Sequence, residues 1–300
     1  MLSKYENSGP VDCSLPFDLN GIRGKSVLIT GGLNKARSGL GYEYAKTFAN
    51  AGAIVTNADI KPSSDELTLP GVRFIKCDVR SWDEQKEAFD AAIASSANGC
   101  IDVIIANAGI SGDDPLLRGI DELEIKKPDT TLVEINLLGA MYTARLALHH
   151  FSVEWPADSA QQDKCLILKS SIMGYLDSRP SYGSTKFGVR AIMRALRHLG
   201  RCRVNVVAPW FIATPIMDEN VVKTLGSQLA AQGSEFAHSD DSVNCISRIA
   251  SDKSIHGRGF AIVPRSLVKE GYMDVDEDDF EEGTLCYKLQ HITYGLSHRK

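Results

Sequence analysis

The chain has 300 residues, 43% of them hydrophobic and 24% charged, which is ordinary for a soluble globular protein. Its formal net charge of −5 gives no basic field, so we expect neither a nucleic acid nor a membrane as a partner. Seven cysteines are dispersed without a C-x-x-C pair, and no apolar run suits a signal peptide or a membrane span. These features predict a cytoplasmic protein without disulfides or a metal site.

Residues 1–24 are polar and are predicted to form an N-terminal surface extension. From residue 25 to residue 264, short β-branched apolar runs alternate with longer segments of helical period, which is the pattern of successive βαβ units. The predicted strands are 26–30, 53–58, 72–76, 101–106, 165–170, 203–207 and 259–263. The predicted helices are 40–51, 82–96, 131–150, 183–199 and 240–251.

Seven strands with interleaved helices predict an α/β fold, in which a doubly wound, mostly parallel sheet carries helices on both faces of a single domain. Ligands of such sheets bind in a crevice at the carboxyl ends of the strands. Residues 265–300 form a C-terminal extension whose acidic run, 274–282, is predicted to be a solvated surface.

The segment 28–48, LITGGLNKARSGLGYEYAKTF, resembles a nucleotide-binding turn. An apolar strand runs into Gly31, and Gly39, Leu40 and Gly41 open a helical pattern. Glycines there let the backbone approach a pyrophosphate, although they could equally be ordinary turn residues. Asp59 ends the second strand 18 positions after Gly41, close to the ~20 expected for an acidic residue that binds a ribose. An aspartate at a strand end is also a common turn residue, but with the glycine turn it indicates a dinucleotide site.

Tyr182 and Lys186 are four residues apart and therefore share one face of a predicted helix. A tyrosine has an ordinary pKa of about 10, and a nearby ammonium group favours the phenolate and lowers that pKa. The pair is thus a candidate acid/base unit, although the same spacing often arises by chance.

Taken together, these and further segments resemble the short-chain dehydrogenase/reductase family over about residues 24–264, in an order that chance does not explain. The matching segments are Thr30-Gly31 with Gly39-x-Gly41, Cys77-Asp78-Val79, Asn107-Ala108-Gly109, Asn136 in VEINLLGAM, Ser170-Ser171-Ile172-Met173-Gly174, Tyr182-x-x-x-Lys186, and RVNVVAPWFIATPI at 203–216. The resemblance implies a Rossmann-type fold and a nicotinamide dinucleotide as cofactor.

The resemblance also assigns roles to individual residues. Ser171 would polarise the substrate carbonyl, Tyr182 would transfer the alcohol proton, and Lys186 would lower the pKa of Tyr182 and hold the nicotinamide ribose. Asn136 would organise a proton-relay water; its alternative is a buried structural amide, and that of Ser171 is a strand-end cap. The implied cofactor-binding residues are Gly31, Ser38, Gly39, Leu40, Gly41, Asp59, Asp78, Val79, Asn107, Ala108, Gly109, Tyr182, Lys186, Pro209, Ile212 and Thr214.

The glycine turn departs from the family pattern because four extra residues separate Thr30 from Gly39. We expect them to bulge outward, leaving the Leu40 and Gly41 amides free to bind a phosphate and placing Lys35 and Arg37 nearby. Asp59 favours NAD, since it repels a 2′-phosphate and bonds ribose hydroxyls. Arg37 or Lys61 could admit NADP instead, but exposed charges act weakly, so NAD is the predicted cofactor.

The predicted substrate pocket also differs from the family pattern. Trp210 follows Pro209 where the family commonly has glycine, so Trp210 and Phe211 are predicted to line the pocket, the alternative being two core aromatics. The interval from Ser171 to Tyr182 is slightly short, which should reshape the pocket wall. Residues 215–239 fall where the family usually has a substrate lid. The C-terminal extension runs past the last strand and is expected to cover the pocket or a neighbouring subunit.

The predicted function is hydride transfer between NAD(H) and a secondary alcohol or ketone of a small, hydrophobic metabolite. One alternative is a non-redox dehydratase or cyclase on the same fold, and another is a dinucleotide-binding scaffold without turnover. The resemblance further implies a homodimer or homotetramer that forms through helices 131–150 and 183–199.

Overall fold

The structure, a computed structural model, describes residues 5–31, 33–34, 37–62, 69–153, 163–214 and 217–297. The predictions for Lys35 and for residues 215–216 of the lid lie outside these residues, and those for Arg37 and Ser38 can be followed only along the backbone. Within the described ranges, none of the helices has the length and hydropathy that crossing a membrane requires.

One large sheet organises the chain. Its strands are β1 (Ser26–Thr30), β4 (Ile54–Asp59), β5 (Val72–Lys76), β6 (Val103–Ala106), β7 (Cys165–Lys169), β8 (Arg203–Pro209), β9 (Gly259–Ile262) and β10 (Tyr272–Asp274). They lie in the order β10-β9-β8-β7-β6-β1-β4-β5. The seven predicted strands all form and pair in parallel, which confirms the predicted fold. Strand β10 was not predicted and pairs antiparallel with β9.

The strand order reverses between β1 and β6, which lie side by side with Thr30 opposite Ala106. From β1 the chain moves outward through β4 and β5, and from β6 it moves to the other side through β7, β8 and β9. Such a switch point opens a crevice beyond the strand ends, because the two connections leave in opposite directions. The sheet topology therefore positions the segments after β1 and β6 to form a site together.

The sheet is covered on both faces, as predicted. The helices are α1 (Leu40–Asn50), α2 (Trp82–Ser95), α3 (Thr131–Val133), α4 (Gly139–Val153), α5 (Pro180–Leu196), α6 (Glu219–Ala231), α7 (Ser239–Ser251) and α8 (Leu285–Ser297). A π-helical turn, Glu134–Leu138, joins α3 to α4. Val27 packs in one core with Phe48 of α1 and Ile249 of α7. Leu28, its neighbour in β1, packs in the other core with Phe89 of α2, because successive strand side chains point to opposite faces.

The prediction that the acidic run 274–282 is solvated is wrong for two of its carboxylates, the first and the middle one. Asp274 and Asp278 are 5% and 4% exposed. Nε of Arg258, just before β9, lies 2.6 Å from Asp274, and Nε of Arg190, on α5, lies 2.7 Å from Asp278. These buried ion pairs attach the C-terminal extension to the sheet and to α5.

Candidate active site

The segments after β1 and β6 meet at the switch point through Gly31. Its φ is +67°, and a Cβ there would lie 2.2 Å from Cα of Ala108. The side-chain amide of Asn107 donates to the carbonyl of Gly31, and the amide of Ala108 lies 3.4 Å from Oγ1 of Thr30. Only glycine fits both this backbone conformation and this close approach. At the end of β1 the backbone of Gly31 therefore forms a surface without a side chain, here called the glycine wall.

The four extra residues of the glycine turn lie in a segment that forms a small hairpin between β1 and α1. Its strands are β2 (Leu33–Asn34) and β3 (Arg37–Ser38), paired antiparallel. The hairpin leaves β1 at its predicted bounds, and α1 begins at Leu40 as predicted. A local insertion can close on itself in this way without displacing the elements on either side of it.

The N-terminus of α1 opens toward the same crevice. Gly39 precedes the helix in an extended conformation, and no side chain in the described part of the chain caps it. Helix N-termini carry unpaired N–H groups and a partial positive charge, which suit a phosphate. The glycine wall at Gly31 and the uncapped start of α1 together fit the diphosphate of a dinucleotide.

Asp59 and Asp78 lie at the ends of neighbouring segments of the sheet. Asp59 is the last residue of β4, beside Gly31, whose amide donates to the carbonyl of Ala58 at 2.9 Å. Oδ1 of Asp59 accepts from the amide of Ile60 at 2.6 Å. Asp78 forms a two-point contact with Arg80 at 3.0 and 2.6 Å, and the Arg80 guanidinium lowers the pKa of this carboxyl. Asp59 is therefore at the crevice edge, whereas Asp78 is held by Arg80.

Val79 and Asn136 are buried beside this crevice. The carbonyl of Val79 accepts from Nε2 of Gln85 at 2.6 Å. The Asn136 amide, in the π-helical turn, donates to the carbonyl of Ile110 at 2.9 Å and accepts from the Ile110 amide at 2.8 Å. Its Nδ2 also lies 3.4 Å from Oγ1 of Thr185 on α5. The Asn136 side chain thus fixes the backbone at Ile110, and its role in organising a proton-relay water stays a prediction.

Ser171 and Tyr182 meet beyond the end of β7. Oγ of Ser171 accepts from the amide of Met173 at 3.2 Å and lies 3.4 Å from the carbonyl of Pro209. Its interaction with Tyr182 lowers the pKa of that phenol and so opposes the effect of burial. Ser171 is therefore both the cap of the short 3₁₀-helix Ile172–Gly174 and a neighbour of Tyr182.

Lys186 lies beneath Tyr182, with Nζ 5.6 Å from the centroid of the phenol ring. Nζ donates to the carbonyl of Lys169 at 3.3 Å, and burial lowers the pKa of Lys186 to about 8. Burial raises the pKa of Tyr182 and the interaction with Ser171 lowers it, while the expected lowering by Lys186 stays a prediction. Burial acts on both groups, and it also weakens the ammonium that was expected to act on the phenol.

Helix α5, which carries Tyr182 and Lys186, packs directly on the end of β7. Oγ of Ser170 donates to the carbonyl of Lys186 at 2.8 Å. A Cβ at Gly174 would lie 2.7 Å from that Oγ and 2.9 Å from the Lys186 carbonyl oxygen. The glycine that ends the motif Ser170–Gly174 therefore allows α5 to approach closely enough for Ser171 to reach Tyr182.

A cavity of about 450 Å³ has Ile172, the residue after Ser171, on its wall. The side chains around it are mostly apolar: Ile172, Trp210, Leu229, Gln232, Ser234, Val263, Pro264 and Leu267. Leu229 comes from α6, inside the predicted lid, and Leu267 comes from the C-terminal extension. The C-terminal extension, which was expected to cover the pocket or a neighbouring subunit, thus contributes Leu267 to the cavity wall, although the sequence did not single out that residue.

The two predicted pocket aromatics have different positions. Nε1 of Trp210 donates to the carbonyl of Glu235 at 3.2 Å, which fixes the indole on the cavity wall. Phe211 contacts the indole edge-on, with ring centroids 4.9 Å apart, and is not part of that wall. Ile212 is buried and bridges Ala237. These contacts join the segment after β8 to the end of the lid.

Lys169 is a buried cation that sequence reasoning missed. It ends β7, where its Nζ contacts the Tyr44 hydroxyl of α1 and lies 3.4 Å from Oγ of Ser242 of α7. Burial, together with the nearby charge of Lys186, lowers the pKa of Lys169 to about 7. The only signal in the sequence is a lysine at the end of the apolar run CLILK.

Comparisons with known proteins agree with this geometry. The family model described as short chain dehydrogenase matches residues 25–224. A 5′-hydroxyaverantin dehydrogenase from Dothistroma septosporum is 39% identical, over 92% of this chain and 94% of its own. A second, from Emericella nidulans, is 32% identical, over 91% and 93%. The solved NADPH-dependent 3-quinuclidinone reductase from Rhodotorula rubra shares the fold, with a TM-score of 0.63, 24% identity, and coverage of 83% of this chain and 94% of its own.

Proposed function

The chain belongs to the short-chain dehydrogenase family, and on this premise we propose that it interconverts a secondary alcohol and a ketone on a hydrophobic molecule, with Tyr182 as the acid/base. It is an oxidoreductase that uses a nicotinamide dinucleotide and acts on hydroxyl or ketone groups. The observation that carries the residue assignment is the position of Tyr182 above the buried Lys186, with Ser171 close enough to act on the pKa of the phenol. Ile172, the residue after Ser171, lies on the wall of the apolar cavity.

In this mechanism Ser171 and Tyr182 bind the substrate oxygen from one side. Ser171 donates a hydrogen bond to the carbonyl oxygen and stabilises the negative charge that develops on it. Tyr182 donates its proton to that oxygen during reduction and accepts the alcohol proton during oxidation. The bound nicotinamide supplies or accepts the hydride, and the glycine wall with the start of α1 would hold its diphosphate.

Burial supports a protonated Tyr182 at neutral pH, because it raises the pKa of the phenol. A protonated phenol is the form that reduction needs. Oxidation needs the phenolate, so alcohol oxidation should become faster as the pH rises. A positive charge brought by the oxidised nicotinamide and by Lys186 favours that phenolate in the complex.

We propose NAD(H) as the preferred cofactor because of Asp59. Its carboxylate lies at the end of β4, beside the glycine wall, where it can accept from ribose hydroxyls and repel a phosphate. Lys61 is exposed two residues further on and is the feature of this chain that favours NADP. Parallel fluorescence titrations with NADH and NADPH test this choice, and Asp59→Ser should remove the preference for NADH. Tighter NADPH binding by the unaltered protein would refute it.

The substrate we propose is a flat, hydrophobic ring compound that carries the reacting alcohol. The apolar cavity wall supports it, as do two relatives named for 5′-hydroxyaverantin that align over nearly the whole chain. The first test is oxidation of 5′-hydroxyaverantin with NAD and NADP, beside a panel of other hydrophobic ring alcohols and of small polar alcohols. Turnover confined to the polar alcohols would refute the proposed class. The non-redox and scaffold alternatives gain no support from relatives that are dehydrogenases and reductases.

We also propose a cytoplasmic homo-oligomer that forms through α4 and α5. Met141 on α4 and Phe187 on α5 are 49% and 45% exposed, which favours a partner on these helices. Buried free thiols, among them Cys165 and Cys245, suit a reducing compartment. Light scattering on the Phe187→Glu variant tests the oligomer contact. Microscopy of a fluorescent fusion tests the cytoplasmic location.

A further inference from the structure

The wall of the apolar cavity carries one hydroxyl group that the fold leaves unpaired. Gln232 and Ser234 are the two wall residues with an amide or hydroxyl side chain. Gln232 is exposed, so water can satisfy its amide. Ser234 is only partly exposed, its Oγ is buried, and this Oγ has no hydrogen-bond partner in the described part of the chain. Because buried polar groups are nearly always hydrogen-bonded, the Ser234 hydroxyl is the polar group of the wall that a ligand can satisfy.

The backbone fixes the position of Ser234 at the end of α6. The amide of Ser234 donates to the carbonyl of Leu229 at 2.9 Å, and the amide of Gly233, whose φ is +68°, donates to the carbonyl of Ala230 at 3.0 Å. These two bonds form a Schellman motif, in which the residue at the position of Ser234 is frequently apolar and packs on the last turn of the helix. A hydroxyl here takes the place of a side chain that would have completed the apolar wall beside Leu229.

The segment that follows Ser234 is bonded to the segment after β8. Nε1 of Trp210 donates to the carbonyl of Glu235 at 3.2 Å, and the amide of Ala237 donates to the carbonyl of Phe211 at 2.9 Å. The backbone of Ser234 is therefore held from both sides, and its side chain can still rotate about one bond. Turning Oγ toward a ligand breaks no hydrogen bond with the described residues.

The cavity is connected to the catalytic residues through two sequence neighbours. Ile172 and Trp210, on the cavity wall, directly follow Ser171 and Pro209. Oγ of Ser171 lies 3.4 Å from the carbonyl of Pro209, so the two segments meet at Ser171. A ring compound whose reacting oxygen lies at Ser171 and whose body occupies the cavity therefore has Ser234 among its neighbours.

We propose that Ser234 binds a second oxygen atom of the substrate, carried on the ring apart from the alcohol or ketone that reacts. This role of Ser234 rests on the proposed function, because it takes the cavity as the site of the ring. A serine hydroxyl both donates and accepts, so a phenol hydroxyl and a ring carbonyl are both suitable. A charged substituent fits poorly, because none of the described wall residues is charged and an ion would lose its hydration there.

Equilibrium dialysis in the presence of NAD tests this subsite on ligands that the oxidised cofactor cannot reduce. The ligands are naphthalene and 2,3-, 2,6- and 2,7-dihydroxynaphthalene, whose two hydroxyls lie at different separations. The affinity of the best dihydroxynaphthalene relative to that of naphthalene should fall by about 2–10-fold in Ser234→Ala, the worth of one neutral hydrogen bond. Naphthalene itself should bind equally to the variant and to the unaltered protein.

Ser227→Ala is the matched control. Ser227 also lies on α6, is exposed, and its Oγ donates to the carbonyl of Lys223 at 3.0 Å. The same substitution there should leave the affinities of all four ligands unchanged. A Ser234→Ala variant that keeps the full preference for the dihydroxynaphthalene overturns the proposal, since Oγ is then satisfied by water or by another part of the chain.

Urea denaturation separates this role from a structural one. Ser234→Ala should unfold at a urea concentration no lower than that of the unaltered protein, because its Oγ makes no hydrogen bond with the described residues. A lower midpoint means that Oγ is bonded within the chain and overturns the proposal.

Turnover separates the subsite from the proposed function. In Ser234→Ala, kcat/KM should fall by about 2–10-fold for ring alcohols that carry a further ring oxygen and should not fall for those that lack one. An equal fall for both kinds of alcohol overturns the proposal. If the unaltered protein oxidises no ring alcohol while the dialysis result holds, the proposed reaction is wrong and the subsite stands.

Discussion

Replacing Lys169 by Met should change how the stability of the protein depends on pH. Burial lowers the pKa of Lys169 from 10.5 to about 7. Between these two pH values the unfolded chain holds a proton that the folded protein does not, so the unfolding free energy of the unaltered protein rises with pH. The destabilisation from the buried charge is complete below about pH 7 and is absent above the pKa of the unfolded chain.

The magnitude follows from the displaced pKa. One proton taken up on unfolding changes the unfolding free energy by about 1.4 kcal/mol per pH unit, and with a folded pKa of about 7 the change from pH 7 to pH 9 is about 2 kcal/mol. Lys169→Met lacks this contribution. Its advantage in stability over the unaltered protein should therefore be largest near pH 7 and shrink by about 2 kcal/mol at pH 9. The 2.6 Å hydrogen bond between Tyr44 and Ser242 can persist in the variant.

Urea denaturation of both proteins at several pH values between 6 and 9, followed by circular dichroism, measures this difference. Lys223→Met is the matched control, since Lys223 is exposed on α6, and its stability should stay parallel to that of the unaltered protein. A difference between Lys169→Met and the unaltered protein that is constant across the pH range would refute the reasoning.

Two further substitutions test the switch point and the C-terminal attachment. Gly31→Ala should destabilise the protein by at least about 1–3 kcal/mol, roughly the cost of a left-handed non-glycine residue, and should weaken NADH binding. Gly112→Ala is the control, because a Cβ there meets nothing within 4 Å, and it should change neither the stability nor NADH binding. Asp278→Asn leaves Arg190 without its buried carboxylate and should lower the unfolding free energy by about 3 kcal/mol, whereas the exposed Glu282→Gln should change it by less than about 0.5 kcal/mol. Urea denaturation measures both, and equal stability within either pair would contradict the corresponding contact.

The main sheet could be predicted because its strands are short apolar runs between helical segments, a pattern that depends on local residues alone. The meeting of the segments after β1 and β6 follows from strand order, and Gly31 and Asn107 confirm it by direct contact. Strand β10 could not be predicted in this way, since a three-residue strand has no period to detect. The acidic run was misinterpreted for a related reason: Arg258 and Arg190 lie 16 and 88 residues from the carboxylates they pair with.

The candidate site was predicted by position but not by electrostatics. Spacing places Tyr182 and Lys186 on one face of α5, and this requires only helical geometry. The pKa of each group depends on burial, which comes from elements remote in the sequence, so the raised pKa of Tyr182 and the lowered pKa of Lys186 could not be predicted from spacing. Lys169 was missed for the same reason. Of the cavity wall, Trp210 was predicted by residue, whereas the C-terminal extension was predicted only as a segment, without Leu267.

The most direct test of the account is the effect of Tyr182→Phe on two quantities measured together. These are NADH binding by fluorescence and the steady-state rate of alcohol oxidation on 5′-hydroxyaverantin or the best alcohol found in the panel. We expect a rate reduced by about 10²–10⁴-fold, the usual contribution of a general acid/base, and NADH binding weakened far less, since Tyr182 is one of many residues implied to contact the cofactor. A Tyr182→Phe variant that keeps its rate within a few-fold of the unaltered enzyme would contradict the assignment of Tyr182 as the proton-transferring group.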